Sequence, residues 1–328
     1  MENEKISVII PAYNIAPWLG RCLNSLLHQV GTVLEIIVVN DGSQDQTEAV
    51  MEEYAALFSN IKAIHKENGG VTSARLRGVA EAKGDWIGFI DGDDTIEPDM
   101  YARLLANAKK HNADISHCGH RVRFPDGRVE YVHNTGEFWI QDRLTALKDL
   151  LDGGMIESGL CTKLYRRELF DGLEAWMDPS IKNNEDLLMN YYLFEKAKLS
   201  VYEDFCPYHY ILRTGSASFR AFNEHSLFDP IRVRQQILKH CDPEMQEAAR
   251  IALLRNCLFI YGQLALNPDK QYDDYRAKVR KLLLVQKGYF PLLSRRNQIL
   301  AHMVCKAPWM FRIAYGAYVK LFRKEEEH

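Results

Sequence analysis

Four short apolar runs in the first hundred residues each stop at a cluster of turn-forming polar residues, with amphipathic stretches between them. The runs are ISVIIPAYN from Ile6, LEIIVVNDGS from Leu34, IKAIHKEN from Ile61 and DWIGFIDGDD from Asp85. A continuous apolar run of this length suits a strand buried on both faces. Residues 17–29 place Trp18, Leu19, Cys22, Leu23, Leu26 and Leu27 at helical spacing, and Thr47 to Phe58 reads as a second helix. After Gly69-Gly70 a third helix buries Val71, Ala74, Gly78, Val79 and Ala82. This alternation predicts an α/β fold, a mostly parallel Rossmann-like sheet flanked by helices. Ligands in such sheets bind beyond the carboxyl ends of the strands. Those ends carry Pro11-Ala12-Tyr13-Asn14, Asn40-Asp41-Gly42-Ser43, Asn68-Gly69-Gly70 and Asp91-Gly92-Asp93-Asp94, all on one predicted rim.

Beyond residue 100 the pattern loosens. A helix over 99–111 leads to the strand ADISHCGHRVRF, whose partner after the PDG turn is RVEYV. Residues 142–152 read as helix, TKLYRRELF as the start of another, and NNEDLLMNYYLFEKA as a helix capped by Asn183 or Asn184. PYHYILRTGSASF reads as a strand entering a loop. From about 225 the chain reads as helices broken at Pro230, Pro243, Pro268 and Pro291. The expected division is a catalytic domain over 1–220 and a helical C-terminal domain over 221–328.

Composition excludes several classes. The chain is 328 residues long, 47% hydrophobic and 26% charged, with a net charge of −3. No overall field favours nucleic acid. Seven scattered cysteines without a C-x-x-C pair predict reduced thiols and a cytoplasmic setting. The start, MENEKISVIIP, is acidic where a secretory leader is basic. No stretch approaches the roughly 18 consecutive apolar residues of a membrane span.

The densest chemistry is DGDD, where Asp91, Asp93 and Asp94 fall within four residues. Two unit charges about 4 Å apart repel by about 4 kcal/mol at an effective dielectric near 20. Asp94 or Thr95 is expected to cap the helix that Pro98 starts. Asp91 and Asp93, at a strand end, suit Mg²⁺ or Mn²⁺ with substrate phosphates completing the shell, and a solvated acidic turn is the plain alternative. A calcium loop fails, because Ile96 and Ala102 stand where glycine and glutamate are required. DGDDT also fits a haloacid-dehalogenase-type phosphatase with Asp91 as nucleophile, although three strand–helix units precede it. The histidines of HNADISHCGH do not converge for zinc, since His117 faces away from Cys118 and His120 in a strand.

SVIIPAYNIAPWLGRCLNSLLHQ, EIIVVNDGSQDQT and ENGGVTSARLRGVAEAKGDWIGFIDGDD together resemble the family 2 glycosyltransferases, and CTKLYRREL, NNEDLLMNYYLF and YHYILRTGSAS continue the resemblance to about residue 220. The resemblance implies a GT-A fold and transfer from a nucleotide-sugar, a UDP-sugar, with inversion at the anomeric carbon. It implies that Pro11, Ala12 and Tyr13 line the base pocket and that Asp41 meets uracil or ribose. Asn68, Gly70 and Arg75 would lie along the nucleotide and its phosphates. Asp91 would touch ribose or metal, and Asp93 would bind Mn²⁺ or Mg²⁺. Of the late acidic pair Glu185-Asp186, the second is the implied base. Arg213 and Ser216 occupy a loop that in relatives closes near the diphosphate, and His209 is a late metal ligand in a few. The chain departs from the pattern at Leu76, where relatives carry asparagine, and at Arg77, an added cation.

The tail APWMFRIAYGAYVKLFRKEEEH alternates aromatic and basic residues over 306–324. It suits a membrane surface near a lipid-linked acceptor, a homodimer contact or packing on the catalytic domain. The overall expectation is a metal-dependent transferase acting on a glycan or lipid-linked saccharide at the inner membrane face. Its competitors are the Asp91 phosphatase and an inactive nucleotide-sugar-binding partner subunit.

Overall fold

The structure is a computed structural model and describes residues 4–213, 223–267 and 269–322. Ser216, Pro268 and Arg323 lie outside the described residues. The chain divides into two compact units, Met1–Asn223 and Glu224–His328.

The first unit is built on one mixed sheet. Strands β1 (Lys5–Ala12), β2 (Val33–Asp41), β3 (Ile61–Lys66) and β4 (Trp86–Phe89) lie parallel in the order β3-β2-β1-β4. They are joined by helices α1 (Ala16–Leu27), α2 (Thr47–Leu57) and α3 (Val71–Glu81). The chain progresses outward from β1 to β3, then crosses to the other side of β1 for β4. This switch leaves a crevice at the carboxyl ends of β1 and β4, where Pro11-Ala12 and the DGDD turn emerge.

Beyond β4 the sheet takes antiparallel strands. The TKLYRRELF segment does not begin with a helix. Lys163–Arg166 form a strand, β9, inserted antiparallel between β4 and β6 (Ile115–Arg123), and only Arg167–Phe170 coil into a 3-10 turn. Lys163, Leu164 and Tyr165 are fully buried, the last two with ladder partners on both sides, so sheet pairing overrides local propensity. The buried Lys163 Nζ donates to the carbonyls of Glu157 and Gly159 at 2.9 and 2.5 Å. β7 (Val129–Val132) closes a hairpin on β6. β10 (Leu199–Ile211) runs parallel to β6 and takes two antiparallel neighbours that the sequence did not announce, β5 (Thr95–Ile96) and β8 (Phe138–Asp142).

Helix α4 (Met100–His111) starts at Met100, so neither Asp94 nor Thr95 caps it. Asp142 does cap α5 (Arg143–Asp152), accepting the Thr145 N–H at 2.8 Å. Asn184 stands at the cap position of α6 (Glu185–Lys196) in a left-handed conformation, φ 67°, without a side-chain cap bond. α3 lies so close to β1 that a Cβ built on Gly78 would sit 2.3 Å from Ile9 Cγ2.

The second unit comprises α7 (Glu224–His240), α8 (Gln246–Leu266), α9 (Asp273–Val285), α10 (Arg295–Lys306) and α11 (Pro308–Phe322) around a core that includes Leu254, Tyr261, Leu264, Val279, Leu283, Val304 and Phe311. Pro230 does not break its helix but lies inside α7. The backbone bond lost to proline is offset by burial of Leu227, Ile231 and Val233. No helix among the described residues is long and apolar enough to cross a membrane.

Gly78→Ala is expected to destabilise the fold by about 1–3 kcal/mol, because Ile9 is locked in the β1 ladder and cannot yield. Gly288→Ala, which meets nothing within 4 Å, serves as the control in urea unfolding.

Candidate active site

Asp41 ends β2 and is 3% exposed. Its carboxylate accepts the Gly69 N–H at 2.9 Å, the Gly70 N–H at 2.7 Å and Lys66 Nζ at 2.6 Å. Its carbonyl accepts Asn68 Nδ2 at 2.9 Å. Asp41 and Asn68 are therefore first the ties of the turn that opens α3. Lys66, unmarked by any motif, is part of that tie. Gly70 is required here by φ 87°, and a Cβ on Gly42 would meet the Asn68 nitrogen at 2.9 Å.

The β1 loop is fastened to the same rim. The Asn14 N–H donates to Ser43 Oγ at 3.1 Å, and Asn14 Oδ1 accepts the Gln44 N–H at 2.8 Å. Tyr13 is 48% exposed beside buried Ala12 and half-buried Pro11, leaving an aromatic surface open at the edge.

One turn into α3, Arg75 is buried and meets two carboxylates. The guanidinium donates to Glu185 Oε1 at 3.1 Å and lies 3.4 Å from Asp91 Oδ1. It thus joins the DGDD turn to the start of α6 across 110 residues of sequence. Burial alone would lower its pKa, but the charges of Asp91 and Glu185 outweigh this and raise it. Its Nε–H is buried without an acceptor among the described residues.

The three crowded aspartates part ways. Asp91 keeps a side chain 41% exposed. Asp93 pairs with Arg213, whose guanidinium lies 3.8 Å above the Trp18 ring. Burial and the Asp91 charge raise the Asp93 pKa. Asp94, 1% exposed, accepts Tyr208 Oη at 2.5 Å and the Ile211 N–H at 2.8 Å. Burial, then the Asp91 charge, push its pKa up to about 8, so it is a structural clamp on β10 rather than a helix cap. Trp18 and Tyr208 were missed from the sequence, where one reads as a helical core residue and the other as a strand residue.

Glu185 and Asp186 open α6. Burial and the Asp186 charge push Glu185 up to about 7 against the lowering pull of Arg75. Burial likewise raises Asp186, with Arg75 opposing. A carboxylate raised in this way is a stronger base than a solvated aspartate. A cavity of about 920 Å³ runs from Gly69 and Gly70 along Ser73 and Leu76 of α3 to Met177 and Lys182, just before this acidic pair.

The residues present fit a divalent cation. Asp91 offers exposed oxygens, its field reaches Asp93, and two carboxylates leave coordination positions for diphosphate oxygens. The described residues contain no cluster of three or more acidic, histidine or cysteine ligands. His209 is engaged elsewhere, with Nε2 2.9 Å from Glu97 Oε1 and Nδ1 3.3 Å from Thr95 Oγ1. His117, Cys118 and His120 also have separate partners, respectively the Tyr202 ring, the Thr162 carbonyl and Glu157.

A parallel nucleotide-type half-sheet, a mixed second half and acids at the switch point define a GT-A glycosyltransferase fold. The TarS protein of S. aureus, residues 1–349, superposes with a TM-score of 0.75 at 20% identity, covering 96% of this chain and 91% of that one. Its complex with UDP-GlcNAc superposes at 0.72. Glycosyl transferase family 2 matches residues 7–173, and the chain belongs to that family. The match takes in the DGDDT turn, against the phosphatase alternative. The uncharacterized glycosyltransferase EpsJ of Bacillus subtilis (strain 168) is 34% identical over 204 residues, 59% of this chain and 57% of that protein. The glycosyltransferase GlyA of Streptococcus pneumoniae is 28% identical over 295 residues, 85% of this chain and 41% of that protein. The chain thus spans about half the length of the curated relatives it matches.

Arg75→Leu strips the counter-charge from a buried carboxylate and is expected to cost about 3–5 kcal/mol. Glu185 ionises near 7, so the loss should be larger at pH 8 than at pH 5, where a proton replaces the guanidinium. Adding Glu185→Gln should recover part of it, as read by urea unfolding at both pH values.

Proposed function

We propose that the protein is a metal-dependent inverting glycosyltransferase. In this reading it moves a hexosyl or N-acetylhexosaminyl group from a UDP-sugar to a hydroxyl of a glycan or lipid-linked saccharide. The setting is polysaccharide or glycoconjugate assembly at the cytoplasmic face of a membrane. The observation that carries the reading is the Arg75 bridge, which ties the DGDD turn and the Glu185-Asp186 pair to the helix opened by the Asp41-anchored turn. Family membership supports the transferase chemistry, and the UDP-GlcNAc complex of TarS supports the donor class.

In this scheme the uracil and ribose lie along Pro11, Ala12, Tyr13, Asp41 and Asn68, with Tyr13 supplying a stacking surface. The diphosphate lies toward Arg75 and Arg213, both of which carry a buried Nε–H without an acceptor among the described residues. Such donors favour an anion rich in acceptor oxygens. A cation held by Asp91 and Asp93 would supply Lewis-acid stabilisation of the departing diphosphate. Asp186 takes the acceptor hydroxyl proton as the oxygen attacks the anomeric carbon and the bond to the diphosphate breaks. Glu185 holds Arg75, while burial and the Asp91 charge keep Asp186 basic. One base suffices for inversion, so the scheme contains no enzyme nucleophile. The 920 Å³ cavity, lined by Gly69, Gly70, Met177 and Lys182, is large enough for a saccharide acceptor.

Asp186→Asn is expected to cut transfer by about 10²–10⁴-fold while leaving UDP binding intact. Asp93→Ala should also weaken metal-dependent UDP binding in a thermal-shift screen with Mn²⁺ and Mg²⁺. Near-normal turnover of the Asp186 variant with a true acceptor would overturn the base assignment. The acidic limb of kcat/KM should lie above the ordinary aspartate range, because burial and the Asp91 charge raise Asp186.

A further inference from the structure

The C-terminal unit carries a cationic cavity beside an uncovered apolar helix face. The cavity, about 450 Å³, is lined by Arg276, Arg280 and Arg312 with Tyr261 and Trp309, and Asp273 is its one carboxylate. Arg276 donates to the carbonyls of Leu264, Asn267 and Asp269 at 2.8–2.9 Å and to Asp273 Oδ1 at 2.7 Å. Arg280 donates to the carbonyls of Val304 and Cys305 at 3.1 and 2.6 Å. Carbonyls satisfy donors but cancel no charge, so three guanidinium groups face one carboxylate. Arg312 is exposed and has no carboxylate partner among the described residues.

Helix α11 is apolar on two opposite sides. Phe311 is fully buried and packs against Tyr261 and Tyr315, at 5.2 and 5.3 Å between ring centroids. Trp309, Met310 and Ile313 point the other way, within about 100° of arc at 3.6 residues per turn. They are 66%, 43% and 66% exposed. A helix that buries one apolar side and leaves a second open presents an interaction surface.

Charge decides what covers it. In a symmetric dimer through this face, the arginines of one copy would oppose those of the other. An anionic lipid surface offers the complement, with acyl chains for Trp309, Met310 and Ile313 and phosphates for the arginines. We infer that this face of the C-terminal unit docks on an anionic phospholipid surface, with α11 at the headgroup boundary and the arginine cavity holding a lipid phosphate. The inference extends the membrane-side setting proposed above, but it rests on different residues from the transfer chemistry.

The full chain should be sedimented with phosphatidylcholine vesicles and with vesicles containing about one-third phosphatidylglycerol. The expected result is about tenfold tighter binding to the anionic vesicles, weakening as salt rises. Trp309→Ser with Ile313→Ser should lower binding to the anionic vesicles about tenfold. Arg312→Glu, which reverses a cavity charge, should abolish the preference for anionic lipid. The UDP thermal shift serves as a fold check and should be the same in every variant. Equal binding to both compositions would overturn the lipid-phosphate site, and no vesicle binding would overturn the docking surface. A dimer dispersed by the Trp309 and Ile313 changes would assign the face to a second copy instead. Failure of UDP to bind the unaltered chain would count against the transferase reading and leave the vesicle result standing.

Discussion

The candidate site depends on a buried cation placed between two carboxylates that the sequence keeps far apart. Arg75 reaches Asp91 from one side and Glu185 from the other, while its own helix is anchored a turn earlier by the Asp41 ties to Gly69 and Gly70. A guanidinium suits this position because its planar fork presents several donors at once and does not lose its charge when buried. Removing Arg75 would leave Glu185 without its counter-charge in the interior. The α3 start, the DGDD turn and the first turn of α6 are consequently one mechanical unit.

That unit explains how three carboxylates can share four residues. Their repulsion is relieved in three different ways. Asp91 stays partly in water and leans on Arg75, while Asp93 takes Arg213, itself steadied over Trp18. Asp94 sinks beneath β10, where burial and the neighbouring charge favour its protonated form, and holds Tyr208 and Ile211. The same separation leaves the Asp91 carboxylate partly open while the third acid ties down β10.

Much of the first unit was legible in the sequence because its signals are local. The runs at Ile6, Leu34, Ile61 and Trp86 became β1 to β4, and the turn residues at their ends reached one rim as their register required. The second half was less legible. Lys163-Leu164-Tyr165 carries no period that separates a short strand from a helix, and its place between β4 and β6 comes from partners remote in the chain. Thr95-Ile96 is too short to signal anything until Tyr208 and His209 pair with it. Pro230 misled because a proline's cost is local, while the burial around it is set by the whole helical unit.

The candidate site shows the same division. The sequence alone placed chemically capable residues at the strand ends, since turn chemistry and apolar periodicity are written within a few neighbouring positions. Which groups each residue meets was decided only by packing. Arg75 became a bridge, Asp94 a neutral clamp and Lys66 a partner of Asp41, because burial and opposing charge are properties of the assembled interior. A carboxylate's proton affinity depends on which groups surround it within a few ångströms, and in this chain those groups come from segments more than a hundred residues apart.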